Sequence, residues 1–433
     1  MVQFGVHGLL GKIAYESLPE RERRLWRKWA DDIPALCCMP DAYYEDKERI
    51  GKYVVLPDGH LLPHGLTDDK WRVVFECEGQ SRETARYVVR HYLRRIIELM
   101  RAEEWEESVK FGGAFAHYIQ DSSSPSHVLN NYLIAELMPF PEGKYYHLHK
   151  ILEDGSSFND DDFTTAVRPV LLGDGEEEAV FQIENRLQRI ILQARAAIVP
   201  ALLAFYKGDL KSYKKRLVEA ANLSTSLLAS AWHTCFALAD HRRKTPGVDK
   251  LSQVSLTDLV PDAYYSQPPY FTYAPGVVAD GCGNASPTLL FGGESRQPER
   301  VANSIATYGA SLIAYSMPKG VFKSFSACVG LDASNAPDKK AGFRVAVEAG
   351  PDKRVEIDPN GQEIKDKSDG TWTSFSAWTN PEYIVFDTGI IKAGVVAKNI
   401  SVALPEGDRL LLITYRADES KAHAVWGDAR LNK

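Results

Sequence analysis

The sequence predicts a multidomain chain: an all-α domain over residues 1–245, then an all-β sandwich over residues 251–433. Three observations predict it. The chain has 433 residues, more than one hydrophobic core usually organises. Apolar residues recur at helical spacing through the first half. Near residue 245 the texture changes. KTPGVDK reads as a linker, Gly, Pro, Ser and Asn become frequent, and apolar runs shorten to strand length.

The elements follow in order. SLPERERRLWRKWADDI predicts a helix capped by Ser17, with Pro19 in its first turn. Residues 81–101 place Val88, Tyr92, Ile96 and Leu99 on one apolar stripe. EEWEESVKFGGAFAHYIQD predicts a helix that runs straight into HYIQDSSSPSHV (117–128). Residues 180–206 and 214–239 read as two further amphipathic helices. Beyond the linker, RVAVEA, NISVAL and RLLLITYR are strand-like runs bounded by turn residues. YYSQPPYFTY (264–273) is aromatic, and its Pro pair disfavours a central strand, so it is the candidate exposed surface of this half. No apolar run is expected to reach membrane-spanning length. The N-terminal MVQFGVHGLLGK lacks a basic n-region, so no signal peptide is visible.

Bulk composition narrows the function. Hydrophobic residues are 44% and charged residues 25%, as in soluble globular proteins. A formal net charge of −7 does not suit a phosphate-backbone binder, and no stable nucleic-acid partner is expected. Six cysteines without a CxxC pair make neither a disulfide framework nor a thiolate zinc site, and buried free thiols are expected.

The chemistry concentrates in HYIQDSSSPSHV. His117 and Asp121 are four apart and share a helix face, with Cβ atoms about 5–6 Å apart. The spacing recurs at His149 and Glu153 in HLHKILED. Between them lies His127, just after Pro125, which is expected to end the first helix and return His127 to the same pocket. Imidazole nitrogen and carboxylate oxygen without sulfur suit zinc in a hydrolytic site. One such pair is common by chance; two pairs and a third His point to a metal. The plain alternative is a set of core histidines and capped helix ends. His91, His147 and His233 are read as ordinary.

The pattern H-Y-x-x-D-x-x-x-P-x-H followed by H-x-x-x-E resembles the zinc-dependent phospholipase C family and the related fungal single-strand-specific nucleases. The likeness covers about residues 4–240, with His117, Tyr118, Asp121, Pro125 and His127 matching. It implies an all-helical fold around two or three zinc ions. By the resemblance, His117 and Asp121 hold one zinc, Asp121 bridges to a neighbour, and His127, His149 and Glu153 hold another. Asp41 in MPDAYY fits the family's upstream Asp, as ligand and proton acceptor. The upstream His is His64 in LPHGLTDD or His60 in PDGHLL, with His64 at the better distance from the helix near Ser81. His7 matches the N-terminal His. The family also uses an N-terminal Trp on a third zinc, and no Trp precedes His7 here. The activity implied is phosphoester hydrolysis by metal-activated water. A phospholipid, with peripheral membrane contact, is favoured over single-stranded nucleic acid. Tyr145 and Tyr146 beside the ligands would suit either substrate.

In the second half, YGASLIAYSMPKGVFKSFSACVGLD, GFRVAVEAG, FDTGII and HAVWGDARL occur in an order that resembles the NPCBM family. That family is a jelly-roll-like carbohydrate-binding sandwich appended to secreted enzymes. The match covers about residues 251–431 and is most specific at Trp426 and Asp428. It implies a glycan partner and, with the first resemblance, a secreted or periplasmic protein. A non-catalytic glycan-binding protein is the alternative of another class. From the residues alone, Trp426 beside a Gly is a core tryptophan between two sheets.

Overall fold

The computed structural model describes residues 6–44, 54–55, 61–62, 65–66, 74–75, 82–129, 131–153, 158, 162–163, 167–240, 252–261, 263–267, 278–279, 284–285, 287–292, 297–308, 310–348, 382–407, 409–416 and 422–433. The side chains at 39, 41–44 and 82–87, among others, lie outside that description. The chain divides into two compact units, Met1–Lys250 and Leu251–Lys433.

The first unit is helical: α1 (Val6–Glu16), α2 (Glu20–Trp26), α3 (Ile33–Tyr44), α4 (Arg82–Arg101), α5 (Trp105–Asp121), α6 (Pro125–Val128), α7 (Asn131–Leu137), α8 (Leu148–Leu152), α9 (Glu176–Tyr206) and α10 (Leu210–Ala239). The stripe on α4 is buried: Val88, Tyr92 and Ile96 are fully covered and Leu99 nearly so. It packs with Phe111, Phe115, Leu187, Leu228 and Trp232 in one core. Each such side chain contributes about 1.5–3 kcal/mol of transfer free energy.

Three sequence expectations need correction. Ser17 does not cap α2. Its hydroxyl donates to the Ile13 carbonyl at 2.8 Å and closes α1, and Pro19 opens α2 with no side-chain cap. A serine at a helix end can serve the turn before it as well as the turn after. Nor does Pro125 end α5, which stops at Asp121. The Ser122 and Ser123 hydroxyls donate to the carbonyls of Tyr118 (3.1 Å) and Gln120 (2.6 Å), and Pro125 starts α6 at its first position, where a missing N–H costs nothing. Finally, α9 is long and apolar enough, by length and composition, to cross a membrane. Its buried face includes Glu184 and Gln188 beside Leu187 and Ile191, as in a core helix packed along α4 and α10.

The second unit holds two five-stranded antiparallel sheets. The strands of these two sheets are β1 (Gln253–Ser255), β2 (Ala263–Gln267), β3 (Ser304–Tyr308), β4 (Ala310–Ser316), β5 (Ser324–Leu331), β6 (Lys340–Glu348), β7 (Ile384–Lys392), β8 (Lys398–Ala403), β9 (Arg409–Arg416) and β10 (His423–Asn432). One sheet runs β3-β10-β5-β8 with β1 also on β10; the other runs β7-β6-β9-β4-β2. β2, the start of the aromatic run, is an edge strand, and residues 268–273 lie outside the described residues. Trp426 is fully buried. Its ring lies 5.1 Å from Phe343 in one sheet and 6.4 Å from Phe325 in the other, and its indole N–H donates to Thr414 Oγ1 at 3.3 Å. It is a core residue that joins the sheets. Directly after it the pairing of β10 with β5 shifts register, and Asp428 takes φ 46°. Gly427 is required there, because a Cβ would sit 2.5 Å from Val301.

Among the described cysteines, Cys37, Cys235 and Cys328 are buried free thiols, and Cys38 is partly buried.

Candidate metal centre

Two close approaches build the site. Gly112 and Gly113 on α5 let other chains lie against the helix: a Cβ on Gly113 would fall 2.8 Å from the Leu36 backbone, and one on Gly112 2.8 Å from Trp26. α3 therefore lies directly on α5. The next residue of α3 presents its carbonyl to the site, and His117 Nδ1 donates to Cys37 O at 2.9 Å. That bond points His117 Nε2 at Asp121, 3.2 Å away. α1 brings His7 over the same face, with its ring centroid 4.3 Å from that of His117. His7 Nδ1 meets Gln120 Oε1 at 2.9 Å, leaving Nε2 3.4 Å from Asp121 Oδ1. His7, His117 and Asp121 thus form one triad whose ligand atoms all lie within 4.8 Å of one another.

A second triad is His127, His149 and Glu153. The Pro-led turn of α6 supplies His127, and α8 supplies His149 with Glu153 at its end. Glu153 gathers four donors. His127 Nε2, His149 Nε2 and Ser126 Oγ reach its Oε2 at 2.7, 2.9 and 2.9 Å, and His7 Nε2 reaches Oε1 at 3.2 Å. His7 therefore touches both triads.

The electrostatics follow. Burial opposes a charge on Glu153, but hydrogen bonds from His127, His149 and His7 outweigh it and hold the carboxyl far below the usual range. Burial likewise opposes a charge on His127, yet the Asp121 carboxylate and the Glu153 hydrogen bond lift it to about 9. His149 is raised chiefly by its bond to Glu153.

Asp121 tests whether a cation fits. It is fully buried, and neither carboxylate oxygen accepts a hydrogen bond. An ion held tetrahedrally at 2.0–2.1 Å places its ligands roughly 3.3 Å apart. The two imidazoles stand 3.4 and 3.2 Å from Asp121, the spacing of co-ligands rather than of aligned donors. A buried carboxylate that accepts no hydrogen bond costs several kcal/mol unless a nearby cation satisfies it. The first triad fits a divalent ion as it stands. The second, at 2.7–2.9 Å, is closed up on its own hydrogen bonds and must open by a few tenths of an ångström to admit one.

Asp41 lies on α3, with its side chain outside the described residues, as are His60 and His64 altogether. His7 joins His117 and Asp121 where spacing alone left it apart. Sequence reasoning missed Gln120, Ser126 and the Cys37 carbonyl, which orient the ring nitrogens. A Gln on a helix as apolar as α5 was the available signal for the first. His147 caps α8, its Nδ1 accepting from Lys150 N at 3.4 Å. His233 forms a buried pair with Glu22 at 2.7 Å.

No protein-family model matches the chain, and no curated protein does. Among solved structures, the chain is similar to CBM51-2 and INT domains of Clostridium perfringens ZmpB, at TM-score 0.30 and 17% identity over 42% of this chain and 31% of that one. It spans less than a third of that chain. A CBM51 from Clostridium perfringens GH95, in complex with methyl-galactose, gives TM-score 0.30 and 19% identity over 42% of this chain and 99% of that one. The alpha-toxin of an avian strain of Clostridium perfringens gives TM-score 0.31 and 10% identity over 97% of both chains. Likenesses at these levels carry no functional weight; the side chains do.

Proposed function

We propose that this chain is a zinc-dependent phosphoester hydrolase of the phospholipase C type, with a glycan-binding accessory unit. The observation that supports it best is the buried Asp121 carboxylate, which accepts no hydrogen bond and lies between two imidazoles, next to a second His/His/Glu triad. His7, His117 and Asp121 would hold one ion, and His127, His149 and Glu153 another. Asp41 and one of His60 and His64 complete the set by sequence resemblance, with Asp41 as proton acceptor. When bound, zinc supplies Lewis acidity toward a phosphoryl oxygen and acidifies a water. The chain's own residues do the rest. The Cys37 carbonyl and Gln120 fix the tautomers of His117 and His7, Ser126 holds Glu153, and the buried setting strengthens each contact.

The substrate side of the reading is a phospholipid, with the chain exported to meet it. The strongly exposed Tyr132, Leu137 and Tyr145 near the second triad suit contact with a lipid surface. A nuclease on the same fold is the rival. Metal analysis of the purified chain, followed by assays on phosphatidylcholine and on single-stranded DNA, tests the reading. Zinc lost in His117→Ala and His127→Ala supports it, and a metal-free protein in zinc-containing buffer refutes it. Sugar binding by the second unit rests on the NPCBM resemblance and its two antiparallel sheets. A glycan array on the full chain tests it.

A further inference from the structure

The outer face of one sandwich sheet gathers positive charge in a chain whose net charge is −7. Phe343 of β6 meets Trp426 in the core, and Thr414 of β9 accepts from its indole N–H. Strand alternation therefore turns Arg344 and Tyr415 outward. Strand pairing sets three rows side by side on that face: Arg344 opposite Asp387, Gly342 between Tyr415 and Ile390, and Lys340 opposite Lys392. Residues 338–344 and 387–398 hold five cations and two acids. Both acids are in ion pairs, Asp338 with Lys339 at 3.7 Å and Asp387 with Arg344 at 2.7 Å.

Arg344 is held in place from two sides. Its Nε donates to Asp387 Oδ2, and its guanidinium lies 4.1 Å from the centroid of the Tyr415 ring. The Tyr415 hydroxyl and the Gly389 N–H donate to Asp387 Oδ1 at 2.6 and 2.8 Å. The ring reaches across β6 because the residue beneath it is Gly342, where a Cβ would sit 2.2 Å from Tyr415 Cζ. A guanidinium already oriented gives up little entropy when it takes a planar carboxylate in two parallel bonds. Lys340 and Lys392 make the second cationic point. Like charges directly opposite on adjacent strands destabilise a sheet, and these two hold paired positions. Lysine on an edge strand deters pairing with another chain. That accounts for Lys392 on β7 but not for Lys340, since β6 has neighbours on both sides. Ile390, 43% exposed, lies between the two cationic points and offers apolar ground to the C–H groups of a sugar ring.

We propose that this face binds a uronate-bearing glycan, with one carboxylate gripped by Arg344 and a second held between Lys340 and Lys392. A carboxylate between two ammonium groups turns their repulsion into attraction, whereas a neutral sugar leaves it in place. Arg344 and Lys340 are four residues apart on one strand, about 13–14 Å. The ligand is therefore an oligosaccharide with acids on more than one sugar. The glycan-binding reading of the second unit is the premise, and the acid names the class of sugar.

The test is calorimetry on the full chain with galacturonate oligomers and with the same oligomers methyl-esterified at the carboxylates. The acids should bind at least about tenfold more tightly than the esters at low salt, the worth of one charge-assisted contact. The gap should close as salt rises from about 0.05 M to about 0.5 M. A single galacturonate should bind at least about tenfold more weakly than the tetramer, because it engages one cationic point and forfeits the second. Arg344→Gln should lower affinity for the acids about tenfold or more, and Lys392→Gln roughly twofold to fivefold. Both should leave the esters unchanged. Lys392 is exposed on an edge strand, so its variant keeps the sandwich folded if Arg344→Gln does not. Esters that bind as well as the acids, acid binding that neither variant weakens, or equal affinity for polyglutamate would each overturn the assignment. A glycan array separates this claim from its premise. Binding to neutral glycans without preference for acids loses the acidic-face assignment alone, and binding to no saccharide loses the glycan reading itself.

Discussion

Asp121→Asn separates a metal ligand from an ordinary buried acid by the sign of one difference. The amide has the volume of the carboxylate but not its charge. In chelator, the wild-type carboxylate is fully buried and accepts no hydrogen bond. Its loss removes the desolvation cost of a buried charge together with its attraction to nearby imidazoles, terms that oppose each other. The expected change without metal is under about 1 kcal/mol. With zinc the two proteins diverge. An ion bound only by the folded state adds about 2.7 kcal/mol at a hundredfold excess over Kd and about 4.1 kcal/mol at a thousandfold excess. For a helical unit of this size, 1 kcal/mol moves Tm by about 2–4 °C, so zinc should raise the wild-type Tm by roughly 5–16 °C. In Asp121→Asn the first triad keeps only His7 and His117. Zinc stoichiometry should fall by one ion, and most of that ion's increment should vanish. The assay is thermal unfolding followed by helical circular dichroism, with zinc and with chelator. Equal destabilisation of 3–5 kcal/mol in both conditions, the usual cost of breaking a buried charge network, would refute the reasoning.

Other perturbations probe the scaffold. Gly113→Ala puts a methyl 2.8 Å from the Leu36 backbone. It should cost about 1–3 kcal/mol in urea unfolding and weaken zinc at the first triad, because α3 carries the carbonyl that orients His117. Trp426→Ala should cost about 3–5 kcal/mol and unfold the sandwich; loss of sugar binding with the sandwich intact would contradict the core role. Burial and its bond to Asp387 push the Tyr415 hydroxyl up to about 12. A raised folded value gives stability that is complete below pH 10 and lost as pH climbs from 10 to 12. Tyr415→Phe should flatten that alkaline limb, as read by sandwich unfolding against pH. Asp387 has the opposite sign. Hydrogen bonds from Tyr415 and Arg344 overcome burial and hold it below 3.8, so its contribution is present above pH 3.8 and fades below. Asp387→Asn should remove that acid limb.

The parts of this protein that were legible in the sequence are those written in local spacing. An interval of four on a helix places His117 over Asp121 and His149 over Glu153 wherever the helix packs. The α4 stripe is legible for the same reason, and so is Trp426, since an indole beside a Gly in an alternating run has nowhere to go but between sheets. What was not legible depends on contacts far apart in the chain. His7 and Gln120 are 113 residues apart, and no periodicity relates α1 to α5. The Cys37 carbonyl reaches His117 because Gly113 lets α3 lie on α5. Ser17 was misassigned because one hydroxyl can serve either neighbouring turn, and local sequence does not choose between them. The long α9 was misjudged because polar residues interrupt its apolar face.

His7 is where the two triads meet, and its chemistry allows only one of its bonds at a time. Nε2 lies 3.4 Å from Asp121 and 3.2 Å from Glu153, and it has either one proton or one lone pair to offer. While it carries a proton it donates to Glu153, which keeps its fourth donor. Were that nitrogen given to a cation beside Asp121, Glu153 would lose that donor and regain a bare oxygen. Two ring donors remain on its other oxygen, and those hydrogen bonds are what hold the second triad too tight for an ion. Freeing Oε1 gives Glu153 an unengaged ligand atom on the side facing the first triad. A cation at Asp121 would therefore be felt at Glu153 through one imidazole. The order of the parts fits: Asp121 is the acid left without donors, and Glu153 is the acid whose donors must be displaced.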